Sequence, residues 1–242
     1  MRLNSFISSC GICSRRKAEI IILEGRVQVN KKIVLAPFFQ VNPENDSITL
    51  DGKILKPSEH VYYVINKPSG YVCAVSDKYD PVVVDLITDF KGRLYPVGRL
   101  DRESEGLLIL TNDGNFTQNI SHPSKEIYKE YEALLNIPIN SKQLENWRKG
   151  FEIDDGELIH KKIIPINVNI MNKSPSNQWI SITIGEGIKR EVRLMARHFG
   201  FRVDKLIRRK IGKLKLEKLK TGEFVRLSFS ELYTKILSGG IV

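Results

Sequence analysis

The chain has 242 residues, 41% of them hydrophobic and 27% charged, enough for a core that buries about 70% of the unfolded surface. This composition excludes wholesale disorder and collagen-like architecture, and the length allows one large domain or a small one plus a medium one. With 38 basic and 28 acidic residues the net charge is +10, so polyanions are the first partners to weigh, whether nucleic acid or an anionic membrane surface.

From the start of the chain, Leu3, Phe6, Ile7 and Cys10 recur at helical spacing until Gly11 stops the run. Cys10-Gly11-Ile12-Cys13 has metal-knuckle spacing, but no second pair follows and the four histidines are scattered. The cysteines, with Cys73, are too few for a disulfide framework, and the first two are expected as small, partly buried residues where two helices meet, with no metal and no cofactor. The opening residues lack the apolar stretch of a signal peptide, and no run of about 18 apolar residues occurs, so a cytoplasmic, non-membrane chain is expected.

A second helix starts at Ser14 as N-cap, carries Ala18, Ile21 and Ile22 on one side, and ends at Gly25. Arg26 to Asn30 alternates as a strand, Asn30 to Lys32 turns into Ile33-Val34, and Ser47 to Lys53 adds a short hairpin. Arg15, Arg16 and Lys17 occupy the first turn of the second helix, where the macrodipole disfavours cations. Free N–H groups and three cations at one helix end suit a phosphate, which points to nucleic-acid backbone contact; a merely solvated basic turn is the plainer reading. Residues 1–56 carry nine basic and five acidic side chains, a net +4. The runs Arg2 to Ile7, Ser14 to Glu19 and Gly25 to Lys32 resemble the alpha-L RNA-binding motif, found at the front of several RNA-modifying enzymes and in one small-subunit ribosomal protein. That resemblance implies a module, residues 1–56, that docks on structured RNA through its second helix.

Lys56-Pro57-Ser58 marks a linker over 57–60, and a second domain is expected over 61–242. Val61 to Ile65 is a nearly continuous apolar strand that turns at Asn66 to Gly70 and releases Tyr71 to Val75. Further strands are predicted at Leu94–Val97, Gly106–Thr111, Ile127–Leu135, Ile159–Ile166, Trp179–Ile184 and Phe224–Phe229, with short helices at Val84–Ile87, Asn115–Ile120 and Ser141–Lys149. The crossover rhythm of a doubly wound sheet is missing, as are the Gly-x-Gly-x-x-Gly and Walker signatures. The fold class is therefore α+β, a small N-terminal module followed by a domain on a large, mainly antiparallel sheet.

The most unusual local sequence is Gly98 to Gly106, with five charges in nine residues beside the very apolar Leu107 to Leu110. Arg99 and Arg102 flank Asp101 and would keep it ionised where water is partly excluded. Such a carboxylate is either a structural ion pair or turn cap, or a nucleophile or general base. The run Gly98 to Gly114 resembles the catalytic motif of the pseudouridine synthases, in the branch that modifies ribosomal RNA and carries the alpha-L module in front. That resemblance assigns the catalytic aspartate to Asp101 and gives Arg99 a part in shaping its loop.

Tyr128-Lys129-Glu130-Tyr131 is similar to the family's Lys-x-Tyr element, whose tyrosine, here Tyr131, stacks on the target base. Strand alternation puts Lys129 and Tyr131 on one face. In Gly185 to Gly200, Val192, Met195, Ala196 and Phe199 form the buried stripe of a helix, with Arg190, Arg193 and Arg197 beside it. This segment resembles the family's Asn-Arg-Gln-Val-Arg element, whose last arginine, matching Arg193, pairs with the catalytic aspartate. The chain departs from it with Lys189 for the asparagine and Glu191 for the glutamine, both expected off the Arg193 stripe. Residues 185–226 hold 14 basic and five acidic side chains, and Lys189, Arg190, Lys205, Arg208, Arg209, Lys210 and Lys213 are expected on RNA phosphates. A membrane-surface reading fits this glycine-punctuated, strand-like region less well.

The resemblance implies an enzyme that isomerises uridine in ribosomal RNA without cofactor or metal. The wording of residues 14–17 and 25–27 resembles members acting on the large subunit more than the small-subunit branch. Ribosomal RNA, free or in an assembly intermediate, is the expected partner, with no obligatory protein partner. Competing readings are a noncatalytic RNA-binding or assembly protein and, less favoured for want of clustered carboxylates, a phosphate-ester hydrolase. The discriminating observation is whether Asp101, Tyr131 and Arg193 meet in one open cleft.

Overall fold

The computed structural model describes residues 1–121, 127–153, 161–171, 178–185 and 187–242. Helices α1 (Leu3–Ser9) and α2 (Arg15–Leu23) pack through Leu3, Phe6, Ile7, Ala18, Ile21 and Ile22. Ser14 caps α2 by accepting the Lys17 backbone N–H at 3.2 Å. Strands β1 (Val27–Val29), β2 (Lys32–Ile33), β3 (Ile48–Leu50) and β4 (Lys53–Ile54) follow in the order β2-β1-β3-β4 and close the same core through Val27, Val29 and Ile48. Both tight hairpins turn on residues of positive φ, Asn30-Lys31 and Asp51-Gly52, the twist that two-residue loops demand.

The second sheet is built from β5 (Tyr62–Lys67), β6 (Tyr95–Val97), β7 (Glu105–Thr111) and β8 (Lys129–Leu135). A separate hairpin, β9 (Phe151–Ile153) and β10 (Lys161–Ile163), interrupts the order before β11 (Asn167–Ile170), β12 (Trp179–Ile184), β13 (Val203–Ile211), β14 (Leu214–Lys215), β15 (Phe224–Leu227) and β16 (Gly240–Ile241). The main path runs β11-β12-β8-β13-β7-β5-β15, with β6 on β7 and β14 between β13 and β16. It is antiparallel except where β13 meets β7 and β14 meets β16.

Strand β7 is apolar on both sides because both faces are covered: Leu107 and Ile109 enter one core, Leu108 and Leu110 the other. Helix α3 (Gly114–Ser121) packs into the first of these cores through Phe116 and Ile120. Helices α4 (Ser141–Lys149) and α5 (Glu191–His198) cover the β8, β12 and β13 end through Leu144, Trp147, Val192, Met195 and Ala196.

The parallel contact pairs Ile207 with Glu105 and Arg208 with Gly106. Gly106 has φ +107°, and a Cβ there would lie 2.3 Å from the Arg208 carbonyl oxygen, so only glycine lets β7 start this close to β13. This close approach brings the loop before β7 onto the β8–β13 surface.

Some expectations are corrected. The strand predicted over Phe224–Phe229 stops at Leu227, and Phe229 opens helix α6 (Phe229–Ser238). Ser228 and Glu231 form a capping box, and Leu232 and Ile236 bury one face, a helical period that overrides the strand reading. Within Tyr71–Val75 only Val72 bridges, to Val82, and Val83–Leu86 is a 3₁₀ turn. In the strand predicted over Ile159–Ile166, Ile159 and His160 lie outside the described residues and Lys161–Ile163 pairs with β9. Among the described residues no helix is long and apolar enough to cross a membrane.

Candidate active site

Asp101 sits in the loop between β6 and β7, half-buried at the mouth of a cavity of about 420 Å³. The loop turns tightly, with the Ser104 N–H donating to the Asp101 carbonyl at 3.0 Å. Beneath it lies Lys67, fully buried at the end of β5, whose Nζ donates to the carbonyls of Pro68 (3.0 Å), Arg102 (3.2 Å) and Ser104 (2.7 Å). Burial pushes this ammonium below its ordinary pKa, while Glu105, Glu103 and Asp101 oppose the shift. The Leu100 N–H donates to Cys73 Sγ at 3.3 Å, a further tie on the same loop. Neither Lys67 nor Cys73 stands out in the sequence; the available signal is a lysine closing the apolar strand that starts at Val61.

Arg193 reaches Asp101 from α5. Its Nε lies 3.9 Å from Asp101 Oδ2, while one terminal nitrogen donates to the Val203 carbonyl at 2.7 Å. Nε is buried and has no hydrogen-bond partner among the described residues, so 3.9 Å from the carboxylate it is placed to close on it; such contacts tighten when substrate fills a site. Tyr131, 8% exposed on β8, lines the same cavity. Asp101, Arg193 and Tyr131 thus converge from a loop, a helix and a strand far apart in sequence.

The remaining candidates divide. Arg99, Lys189 and Arg190 are exposed at the cavity rim. Arg190 takes the left-handed conformation (φ +59°) just before α5, with a guanidinium nitrogen 3.9 Å from Glu103. Arg15, Arg16 and Lys17 are exposed on the first turn of α2. Glu191, expected off the Arg193 stripe, is buried and lines the cavity, its carboxylate accepting the Ile188 N–H at 3.2 Å, because the first turn of α5 faces inward. Glu186 lies outside the described residues. Val192 serves both the core and the cavity wall.

The basic tail needs correcting. Arg208 is 3% exposed and donates from Nε to the Leu107 carbonyl at 2.7 Å and from a terminal nitrogen to the Arg99 carbonyl at 3.4 Å. It is a cavity-wall residue, not a phosphate-facing one, because the parallel β7 covers it. Lys205 pairs with Glu105 at 3.1 Å, Arg209 with Glu132 at 3.5 Å, and Lys210 with Glu130 at 2.6 Å. Each of these cations therefore has a carboxylate partner on a neighbouring strand, while its side chain stays 43%, 33% and 31% exposed respectively. Cys10 and Cys13 are free thiols, and burial pushes Cys10 up to about 11. Among the described residues no group of three or more His, Cys, Asp or Glu side chains is placed to hold a metal ion.

Comparison with known proteins identifies the family. Residues 61–198 match the RNA pseudouridylate synthase family and residues 1–48 match the S4 domain. An RNA pseudouridine synthase of Aquifex aeolicus (strain VF5), itself described as uncharacterized, is 40% identical over 234 residues, covering 96% of this chain and 92% of its own. Ribosomal large subunit pseudouridine synthase B of Bacillus subtilis (strain 168) is 36% identical over 232 residues, 96% of this chain and 93% of its own. A crystal structure of a pseudouridylate synthase superposes with a TM-score of 0.67 at 30% identity, covering 96% of this chain and 98% of that one. With an α+β catalytic fold, an S4 domain for RNA in front, and relatives matched almost end to end, the chain belongs to the RNA pseudouridine synthases, enzymes of the isomerase class.

Proposed function

We propose that the chain converts uridine to pseudouridine in large-subunit ribosomal RNA, with Asp101 as the reacting carboxylate. The observation that carries this reading is the convergence of Asp101, Arg193 and Tyr131 on one cavity, an arrangement for which a noncatalytic RNA-binding protein has no use. Asp101 either bonds to the ribose C1′ or removes a ribose proton; the N-glycosidic bond breaks, the uracil turns, and C5 joins C1′. Arg193 orients and neutralises Asp101, and Tyr131 retains the detached base. A recessed carboxylate cannot reach a stacked uridine, so the nucleotide is extruded at a cost of a few kcal/mol. Phosphate contacts by Arg15, Arg16 and Lys17 on α2 and by Arg99, Lys189 and Arg190 at the rim offset that cost. The large-subunit preference is supported by the B-type relative, and the S4 domain supports docking on structured RNA. We read that RNA as free or within an assembly intermediate, in the cytoplasm. The test is to map pseudouridine across total RNA with and without the protein. Loss of one or more large-subunit positions is expected; loss confined to small-subunit RNA overturns the substrate, and no loss overturns the activity.

A further inference from the structure

The cavity holds two cations that the reaction as described leaves idle. Lys129 and Tyr131 alternate onto one face of β8, and Arg208 is the cross-strand partner of Tyr131 on β13. Directly opposed residues stand about 5 Å apart and share a face, so Arg208 borders Tyr131, and Lys129 follows two residues along the same face of β8. All three line the cavity with Asp101. Among the described residues neither Lys129 nor Arg208 makes an ion pair, and one terminal nitrogen of Arg208 is buried without a hydrogen-bond partner. Ser104, also on the wall, has a buried hydroxyl without a partner among the described residues. A cavity wall with two neighbouring cations and unmet hydrogen-bonding groups is complementary to negative charge.

We propose that Lys129 and Arg208 stabilise the uracil anion that leaves when the glycosidic bond breaks. The proposal rests on the isomerase reading above. Whether Asp101 bonds to C1′ or takes the C2′ proton, the N1–C1′ electron pair departs with the base, and the charge spreads over N1, O2 and O4. In the first case C5 then attacks C1′ and displaces the Asp101 carboxylate. In the second it adds to C1′ of the glycal while Asp101 returns its proton to C2′. In both, C5 finally loses its proton and N1 gains one, so the base ends neutral.

The charge on the base develops beside Tyr131, where these cations stand, whereas the RNA phosphates pass the rim, where Arg99, Lys189 and Arg190 are exposed. Burial and the neighbouring Arg208 both push the Lys129 ammonium down from its ordinary pKa, and Glu191 opposes them. An anion in the cavity relieves both effects.

The experiment compares wild type, Lys129→Met and Lys129→Arg in single-turnover release of tritium from C5-labelled rRNA at saturating enzyme, with RNA affinity measured in parallel. Lys129→Met should slow the step by about 100-fold, the scale of losing one donor to a developing anion, with affinity nearly unchanged. Lys129→Arg, which keeps the charge, should recover about tenfold of that loss. Weakened affinity with an unchanged rate at saturation would make Lys129 a phosphate ligand and overturn the proposal. A wild type that releases no tritium overturns the isomerase reading and this proposal with it, whereas turnover matched by Lys129→Met overturns the proposal alone. A second measurement needs no variant: the wild type should bind 5-nitrouracil, whose ring is ionised near neutral pH, about tenfold more tightly than neutral uracil. Equal affinities overturn the proposal.

Discussion

Replacing Lys67 with methionine should loosen the loop that carries Asp101. The stem of methionine fills most of the same apolar channel, but the three donated bonds to Pro68, Arg102 and Ser104 disappear. Hydrogen bonds from a charged group contribute about 1.5–3 kcal/mol each. The three together are offset by no longer burying an ammonium, which costs several kcal/mol. The Arg102 carbonyl also keeps the Gly70 N–H at 2.8 Å, so part of the loop remains tied. The net loss is about 2–4 kcal/mol, which for a chain of this size lowers Tm by roughly 4–16 °C. A loop misplaced by about 1 Å costs on the order of 100-fold in rate.

Thermal unfolding by circular dichroism and single-turnover tritium release, the latter well below the variant's Tm, measure the two effects separately. The pH dependence adds a signed check. Folded Lys67 holds its proton less tightly than the unfolded chain does, so the wild type gains stability as pH rises from the lowered pKa toward the ordinary 10.5. The methionine variant lacks that gain, and the gap between the two should widen with pH. A Tm within about 2 °C of wild type together with an unchanged single-turnover rate would refute the reasoning.

Asp101→Asn should abolish tritium release while leaving Tm and RNA affinity near wild type, because among the described residues this carboxylate makes only the 3.9 Å ion-pair contact with Arg193; turnover by the folded variant would remove Asp101 from the chemistry. Gly106→Ala should cost about 2–5 kcal/mol in urea unfolding, since its Cβ collides with the Arg208 backbone at a φ reserved for glycine; wild-type stability would contradict the parallel β7–β13 contact. Alanine at Arg15, Arg16 and Lys17 together should reduce the slope of log affinity against log salt by about 2 to 3 without changing the rate at saturation, and an unchanged slope would remove α2 from the phosphate path. Tyr62, whose hydroxyl donates to Asp113 at 2.7 Å, and Tyr95, pushed up to about 12, hold their protons more tightly when folded. The stability they add is present below pH 10 and fades as pH rises above it. Tyr62→Phe should flatten that decline in urea midpoints taken from pH 8 to 11, and an identical decline would show that other groups dominate.

The elements legible in the sequence are those whose signal is local. The apolar run Leu107–Leu110, the helix stripe of Val192, Met195 and Ala196, and the Ser14 cap need only neighbours within a turn or a pleat. Asp101, Tyr131 and Arg193 were legible through motif resemblance, although nothing local says that they meet. The tail shows the limit: Lys205, Arg209 and Lys210 read as free cations because a sequence displays charges but not the strands beside them, and Glu105, Glu132 and Glu130 become their partners only through the register of β7, β8 and β13.

Arg208 reads as a phosphate ligand for the same reason, since its burial on β13 is decided by the parallel β7, whose Leu107 carbonyl, 101 residues away, accepts from its Nε. Lys67 reads locally as the edge of a turn, yet its three acceptors include carbonyls 35 and 37 residues away. Periodicity and capping act over a few residues and are written along the chain. Charge pairing, desolvation and the shape of a cavity depend on which distant segments are brought within a few ångströms, and those contacts exist only once the sheet is assembled.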